Sequence, residues 1–127
     1  MDIPAEARVY AGTGAILAGV AVMAGAFGAH GLRDLVTPER LATFETAARY
    51  LMYHGLALVV VGWMMTTMPR TGLTWTARLF LAGSALFSGS LFALVLFDWP
   101  ALGIVTPLGG VAFIAGWLVL ARTLLRR

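Results

Sequence analysis

The feature that most restricts this chain is a set of long apolar stretches, the first of which runs from about Val9 to Ala29. A helix of about 20 apolar residues is long enough to cross the roughly 30 Å hydrocarbon core of a lipid bilayer. The apolar part of a secretory signal is shorter, usually about 7 to 15 residues. The stretch therefore predicts a transmembrane helix at the start of the chain.

Three more apolar stretches follow, and residues that interrupt helices separate them. Met68 and Pro69 end the second stretch, and Trp99 and Pro100 end the third. We place the four spans at residues 9–29, 48–68, 76–97 and 107–121. The interpretation is an all-α fold, in which residues 1–127 form a single transmembrane domain, an integral membrane four-helix bundle.

The second helix is predicted to begin before it enters the membrane. Thr37, Pro38 and Glu39 form a helix start, with a hydroxyl cap, a proline at the first position and an acid in the first turn. No residue breaks the pattern before Met68, so this helix would be about 46 Å long, more than the hydrocarbon core requires. An apolar stripe at helical spacing marks its first turns: Leu41, Phe44, Ala48 and Leu51. These turns are therefore predicted to be an amphipathic lead-in along the interface. In the same way, Thr106 and Pro107 predict the start of the fourth helix.

Composition excludes several classes of function. Hydrophobic residues make up 60% of the chain and charged residues 12%, which is not the balance of a soluble globular domain. The nine basic residues are all arginines, scattered near predicted helix ends and not arranged in a stripe, so we expect membrane lipid as a partner and no nucleic acid. The chain contains no cysteine, which excludes disulfides, thiolate metal sites and cysteine nucleophiles.

The distribution of arginines predicts an orientation. Four spans place both termini and the loop around Arg70 on one side of the membrane, and six of the nine arginines fall on that side. Positively charged residues are concentrated in cytoplasmic loops. Both termini are therefore predicted to be cytoplasmic.

Small residues predict how the helices pack. The first helix has two rows of small residues spaced four apart, which allow a second helix to approach closely. The rows are Ala11, Ala15 and Gly19, and Ala21, Gly25 and Ala29. We predict that Gly19 and Gly25 are buried against other helices. In the third helix, Gly89 belongs to a similar row, and Ser84 and Ser88 are predicted to form hydrogen bonds between helices.

The stretch FETAARYLMYH places ionisable groups at the mouth of the second span. Glu45 lies one turn before Arg49, which is the favourable order for an ion pair, and each charge makes the other tolerable near lipid. Tyr50 and His54 fall on a different face of the helix and are predicted to bond to a neighbouring helix near His30. We treat these five residues as a predicted intramembrane polar cluster, which is either a structural anchor or a functional site.

No motif for catalysis or for a cofactor is present. His30 and His54 are the only histidines, and the ligand spacings of known metal sites are missing around them, so we predict no metal. The segment FSGSLF lacks the Gly-x-Ser-x-Gly pattern of a nucleophile elbow, and no strand is predicted that could precede a phosphate-binding loop. We therefore expect no catalytic residue, no cofactor and no enzymatic activity.

Four motifs together resemble a known family. They are GAFGAHGL at 25–32, F-x-T-A-x-x-Y-x-x-x-H at 44–54, LFSGSLF at 86–92 and TPLGG-x-x-F-x-x-GW at 106–117. The chain resembles, over nearly its whole length, the bacterial inner-membrane family known as domain of unknown function 423, and is similar to the eukaryotic transmembrane protein 256. The resemblance implies a small multi-pass protein of the bacterial inner (plasma) membrane, and it carries over no catalytic residue.

Two functions remain open at this point. The first is a membrane binding or interaction protein that associates with lipid, with further copies of itself as a homo-oligomer, or with a larger membrane complex. The second is a small transporter or channel in which Glu45, Arg49, His54 and His30 line a polar path, because ionisable residues inside a membrane are often functional. A dry bundle with an exposed apolar groove favours the first function, and a water-filled cavity that reaches Glu45 and Arg49 favours the second.

Overall fold

The computed structural model describes residues 2–127, which form four long helices and, within that range, no strand. The helices are α1 (Ala5–Leu32), α2 (Pro38–Thr67), α3 (Thr71–Leu96) and α4 (Pro100–Leu125). Each is long and apolar enough to cross a membrane. The predicted all-α membrane fold is confirmed. Each helix begins before the span that was predicted there, and α2 and α3 end one residue before the ends of their predicted spans.

The start of α2 follows its sequence signal, whereas the start of α4 does not. The Thr37 hydroxyl accepts a hydrogen bond from the Arg40 amide at 3.2 Å, with Pro38 at the first helical position. In contrast, α4 begins earlier, with a 3-10 turn over Pro100–Ile104. Thr106 is not a cap, because its hydroxyl lies 2.6 Å from the Ser90 hydroxyl of α3.

Close backbone contact between α1 and α2 depends on Gly14 of α1 and on Gly55 and Gly62 of α2. A Cβ atom added to Gly55 would lie 2.9 Å from the Ala18 amide nitrogen and 2.9 Å from the Gly14 carbonyl oxygen. A Cβ added to Gly62 would lie 2.8 Å from the Ala11 amide nitrogen. The two helices therefore approach at distances that only glycine permits.

The prediction that Gly19, Gly25 and Gly89 pack against other helices is wrong. All three are exposed, and a Cβ added to Gly19 or Gly25 would meet no other atom of residues 2–127 within 4 Å. A Cβ added to Gly89 would meet only the Ser84 carbonyl of its own helix, at 3.8 Å. Small residues occur on more than one face of α1, and their spacing does not specify which face meets α2.

Helices α3 and α4 pack through two reciprocal pairs of glycine and phenylalanine. The Phe113 ring of α4 covers Gly83 of α3, and the Phe80 ring of α3 covers Gly116 of α4. Phe80 and Phe113 are both buried. Each ring fills the space that the opposite glycine leaves open, which aligns the middle of α3 with the middle of α4.

Two segments of the helices are π-helical, over Gly28–Leu32 at the end of α1 and over Ser84–Gly89 in the middle of α3. A π-helical turn contains more residues than an α-helical turn, and such turns frequently occur at functional sites.

Two arginines connect the ends of the helices. Arg40, in the first turn of α2, donates to the Leu94 carbonyl of α3 at 3.0 Å and pairs with Asp98 at 2.8 Å. Arg70, just before α3, donates to the Thr123 and Arg126 carbonyls of α4 at 2.9 and 3.0 Å. Each cation satisfies carbonyl groups at the C-terminal end of a helix, α3 for Arg40 and α4 for Arg70, where the helix dipole is negative.

Candidate functional site

The predicted polar cluster is dispersed in the structure. The carboxylate of Glu45 lies 4.0 Å from the guanidinium of Arg49, at the outer limit of an ion pair, and the two side chains are 42% and 62% exposed. The predicted pairing is therefore present only at this limiting distance, and the protein buries neither side chain. His30 is exposed near the end of α1, about 17 Å along the axis from the midpoint of that helix. Among the other members of the cluster, Tyr50 and His54 are in contact with each other.

His54 lies close to the middle of α2 and is buried. Its Nδ1 atom lies 2.8 Å from the Tyr50 carbonyl oxygen, and its Nε2 atom lies 3.0 Å from the indole nitrogen of Trp117. An indole N–H can only donate a hydrogen bond, so Nε2 must accept and carries no proton. Nδ1 then carries the proton and donates to the Tyr50 carbonyl. The two bonds specify a neutral imidazole with one tautomer.

Aromatic rings enclose this imidazole. The His54 ring stacks on Phe113 with centroids 3.5 Å apart and planes 9° apart, and Phe80 meets it edge-on at 5.2 Å. His54 therefore joins α2 to α4 as a structural contact. The expectation that it bonds near His30 is wrong, because its partner is Trp117.

The sequence analysis did not identify Trp117 as the partner of His54. A signal for it exists in the motif F-x-x-GW, because Phe113 and Trp117 are four residues apart and lie on one face of α4. That face carries both the ring that stacks on His54 and the N–H group that bonds to it.

The hydroxyl groups of Ser84 and Ser88 have no hydrogen-bond partner among residues 2–127, although both residues are buried. The prediction that they bond between helices is therefore wrong. A buried polar group without a partner costs about 1 to 3 kcal/mol. Both serines belong to the π-helical segment of α3. An unusual backbone and two unpartnered hydroxyls thus coincide in the middle of one helix.

Ser84 lines an apolar groove of about 350 Å³ between α1, α2 and α3, which we call the intramembrane groove. Its other lining residues are Leu17, Val20, Leu51, Leu81, Ala85, Gly89 and Phe92. Leu17, Leu51 and Ser84 each lie within about 3 Å of the midpoint of their helix, measured along the axis. One end of the groove therefore lies at the middle of the bundle, and Phe92, at the other end, lies about 13 Å from the midpoint of α3. Ser84 is the one lining residue that carries a hydroxyl, and it lies at the middle end.

Other arrangements are absent from the part of the chain that the structure describes. No group of three or more His, Cys, Asp or Glu side chains there is placed to hold a metal ion. Glu45 and Arg49 line a separate shallow groove, together with Gly25 of α1. His54 does not line that groove, so the residues named for a polar path are not joined into one.

Comparisons with known proteins agree with the membrane architecture. A UPF0382 membrane protein of Staphylococcus aureus (strain bovine RF122 / ET3-1) is 47% identical over 107 residues, which cover 84% of this chain and 87% of the relative. The UPF0382 membrane protein YwdK of Bacillus subtilis (strain 168) is 44% identical over 114 residues, which cover 89% and 93%.

No solved structure matches the chain. The family model described as "Protein of unknown function (DUF423)" matches residues 24–110. This range includes α2 and α3 completely, and with them the intramembrane groove apart from Leu17 and Val20 of α1. The chain belongs to the DUF423 family of membrane proteins.

Proposed function

We propose that this protein is a lipid-binding protein of the bacterial inner membrane, with both termini cytoplasmic and the ligand held in the intramembrane groove. The observation that carries the proposal is the Ser84 hydroxyl. It belongs to a residue that is 5% exposed, it has no partner among residues 2–127, and that residue lines an otherwise apolar groove. The hydroxyl oxygen is covered by protein atoms, so a rotation of the Ser84 side chain toward the groove would bring it within reach of a ligand oxygen atom, which would satisfy it and recover the cost of burying it.

The size of the groove favours a slender ligand. A volume of about 350 Å³ is within the usual range of about 300 to 1,000 Å³ for small-molecule sites. A partner helix has a diameter of about 10 to 12 Å with its side chains and is too wide to enter. A single lipid chain is narrow enough, and the leucine, valine and phenylalanine side chains of the lining match its apolar surface.

The depth of Ser84 limits the chemistry of that lipid. The oxygen atoms of an ordinary phospholipid lie at the interface, about 15 Å from the bilayer centre. Ser84 lies at the centre, so the oxygen atom that bonds to it belongs to a lipid whose carbonyl or hydroxyl group can reach that depth. We therefore propose an apolar ligand of the quinone or long-chain alcohol type.

We propose a binding role without catalysis. Support comes from His54, whose two ring nitrogens are both engaged by groups of the protein. This leaves neither nitrogen free to exchange a proton with a ligand. The ring is also covered by Phe113 and Phe80. His54 therefore acts as a fixed contact between α2 and α4.

A matched pair of substitutions tests the proposal. Ala85 lines the groove, whereas Ala82, three residues earlier on α3, is exposed and does not line it. Ala85→Leu should fill the groove, and Ala82→Leu should add the same side chain outside it. Both variants and the parent would be purified from membranes in a mild detergent, and the retained lipids would be extracted and quantified by mass spectrometry.

We expect the parent and Ala82→Leu to retain about one molecule of one oxygen-bearing apolar lipid per chain and Ala85→Leu to lose it. Ser84→Ala should retain less of that lipid while unfolding no earlier than the parent, because the hydroxyl has no partner in the protein. Equal retention by the Ala85→Leu and Ala82→Leu variants would contradict the proposal.

A further inference from the structure

Another groove lies at the end of the bundle where α3 begins and α4 ends, and we call it the basic groove. It has a volume of about 450 Å³ and is lined by three arginines, Arg70, Arg122 and Arg126. Thr71, Thr123 and Trp75 also line it, and within residues 2–127 no carboxylate does. The basic groove is therefore a concentrated positive charge between two helices.

Contacts within the protein hold the first of these arginines in place. Nη1 of Arg70 donates to the carbonyl oxygens of Thr123 and Arg126, at 2.9 and 3.0 Å. This guanidinium thus connects the start of α3 to the end of α4. It cannot turn away from the groove without losing both bonds.

The other two arginines lie side by side without a protein partner. Arg122 lies in the last turn of α4, Arg126 is the residue that ends this helix four positions later, and both are exposed. Neither forms an ion pair within residues 2–127, where the salt bridges are those of Arg40 with Asp98 and Arg49 with Glu45. Two adjacent like charges repel each other, and an anion between them would remove that repulsion.

The depth and the surroundings of the basic groove match the headgroup region. Arg122 lies about 14 Å from the midpoint of α4, and the hydrocarbon core ends about 15 Å from the bilayer centre. Trp75 lines the groove, and tryptophan is enriched at this level of a membrane. The same end of the bundle has six arginines and two acids, against three arginines and four acids at the opposite end.

We propose that the basic groove binds the phosphodiester headgroup of an anionic phospholipid, with Arg122 and Arg126 donating hydrogen bonds to the phosphate. Guanidinium groups form strong, charge-assisted bonds with phosphate oxygens. Basic pockets between helices on the cytoplasmic side of a membrane are known to bind anionic headgroups. This site is separate from the intramembrane groove and does not depend on what that groove binds.

Two double variants with the same change in charge test the proposal. Arg122→Gln/Arg126→Gln removes two charges from the groove, and Arg8→Gln/Arg127→Gln removes two charges from the same end of the bundle outside the groove lining. Arg70 is left intact because it bonds to α4. Each protein would be mixed in detergent with equal amounts of phosphatidylglycerol and phosphatidylcholine, and the bound lipids would be counted by native mass spectrometry.

We expect the parent to prefer phosphatidylglycerol, and the groove variant to bind it about 25-fold more weakly, since each arginine near the headgroups contributes about fivefold. The control variant should keep most of the preference. An equal loss in both variants would show attraction by the general positive charge and would overturn the proposal, as would equal binding of the two lipids by the parent.

A further arm separates a lipid headgroup from a free anion. Inorganic phosphate at the same concentration as the lipid should leave the melting temperature of the parent within about 1 °C of its value in a chloride solution of equal ionic strength. A rise that equals the effect of phosphatidylglycerol would identify a site for free phosphate and would overturn the lipid proposal. Comparison of the melting temperatures without lipid confirms that both variants are folded.

Discussion

The hydrogen bond between Trp117 and His54 makes a specific prediction about stability. Trp117→Phe removes the indole N–H but keeps an aromatic ring beside Phe80, whose ring centroid is 4.8 Å from that of Trp117. Nε2 of His54 then loses its donor at the depth of the bilayer centre, where no water replaces it. The variant should therefore be less stable than the parent.

The size of the loss follows from the surroundings of the two side chains. Trp117 is 46% exposed, so the smaller phenylalanine ring gives up contacts with lipid as well as contacts with the protein. Most of the loss then comes from the acceptor left without a partner. Such a group costs about 1 to 3 kcal/mol in general, and couplings between helices in membranes average about 0.6 and reach about 1.7 kcal/mol. We expect a loss of about 1 to 2 kcal/mol.

A double-mutant cycle isolates the hydrogen bond. His54→Phe removes the acceptor and keeps a ring that can stack on Phe113, and the double variant His54→Phe/Trp117→Phe has neither polar group. Reversible unfolding in mixed micelles with increasing dodecyl sulfate would give the free energy of unfolding of all four proteins. The double variant should lose less than the sum of the two single losses, by at least about 0.6 kcal/mol. Strict additivity would refute the assigned bond.

Three other predictions concern packing, the unpartnered hydroxyl and the orientation. Gly55→Ala should lower the free energy of unfolding by about 1 to 3 kcal/mol, because the new methyl group meets backbone atoms of α1. The control variant Gly19→Ala should cause no loss, because a Cβ atom there meets no other atom of residues 2–127 within 4 Å. Similar free energies for the two variants in the same micelle assay would argue against the described packing of α1 and α2. Ser84→Ala should raise the free energy of unfolding of lipid-free protein by about 1 to 3 kcal/mol, and a decrease would mean that the hydroxyl has a partner. A reporter that works only in the cytoplasm should be active when fused after Arg127, and activity of a periplasmic reporter instead would reverse the proposed orientation.

Local signals in the sequence predicted the architecture correctly. Apolar stretches of the right length identify four spans because the bilayer sets a minimum length for a crossing helix. The cap and proline at Thr37 and Pro38 placed the start of α2 correctly, because a helix start depends on residues within one turn. These features need no knowledge of which helices are neighbours.

Contacts between helices were predicted poorly, and the reasons are physical. Small residues occur on several faces of α1, so their spacing predicted Gly19 and Gly25 while the contact uses Gly14. In α3, Ala85 and Gly89 are four residues apart and both are exposed, so the spacing gave a common face without showing that this face is not the buried one. His54 bonds to a residue 63 positions later, and no local pattern encodes that distance.

The candidate site shows the same limit. Ser84 was predicted from the sequence as a hydrogen-bonding contact between helices, and its hydroxyl has no such partner among residues 2–127. The groove that it lines was not predicted, since its walls come from three different helices. A groove of this kind depends on the crossing of the helices, which only the structure gives.

The most direct test of the proposed function is nuclear magnetic resonance of the parent protein in lipid nanodiscs that contain native membrane lipids. The Ala85 methyl group, in the intramembrane groove, would be compared with the Ala82 methyl group, which is exposed outside it. We predict magnetisation transfer from one long-lived lipid to Ala85, including from protons next to a carbonyl or hydroxyl group, and only contacts with bulk acyl chains for Ala82. The same bulk contacts at both methyl groups would contradict the proposal that the groove is a lipid-binding site.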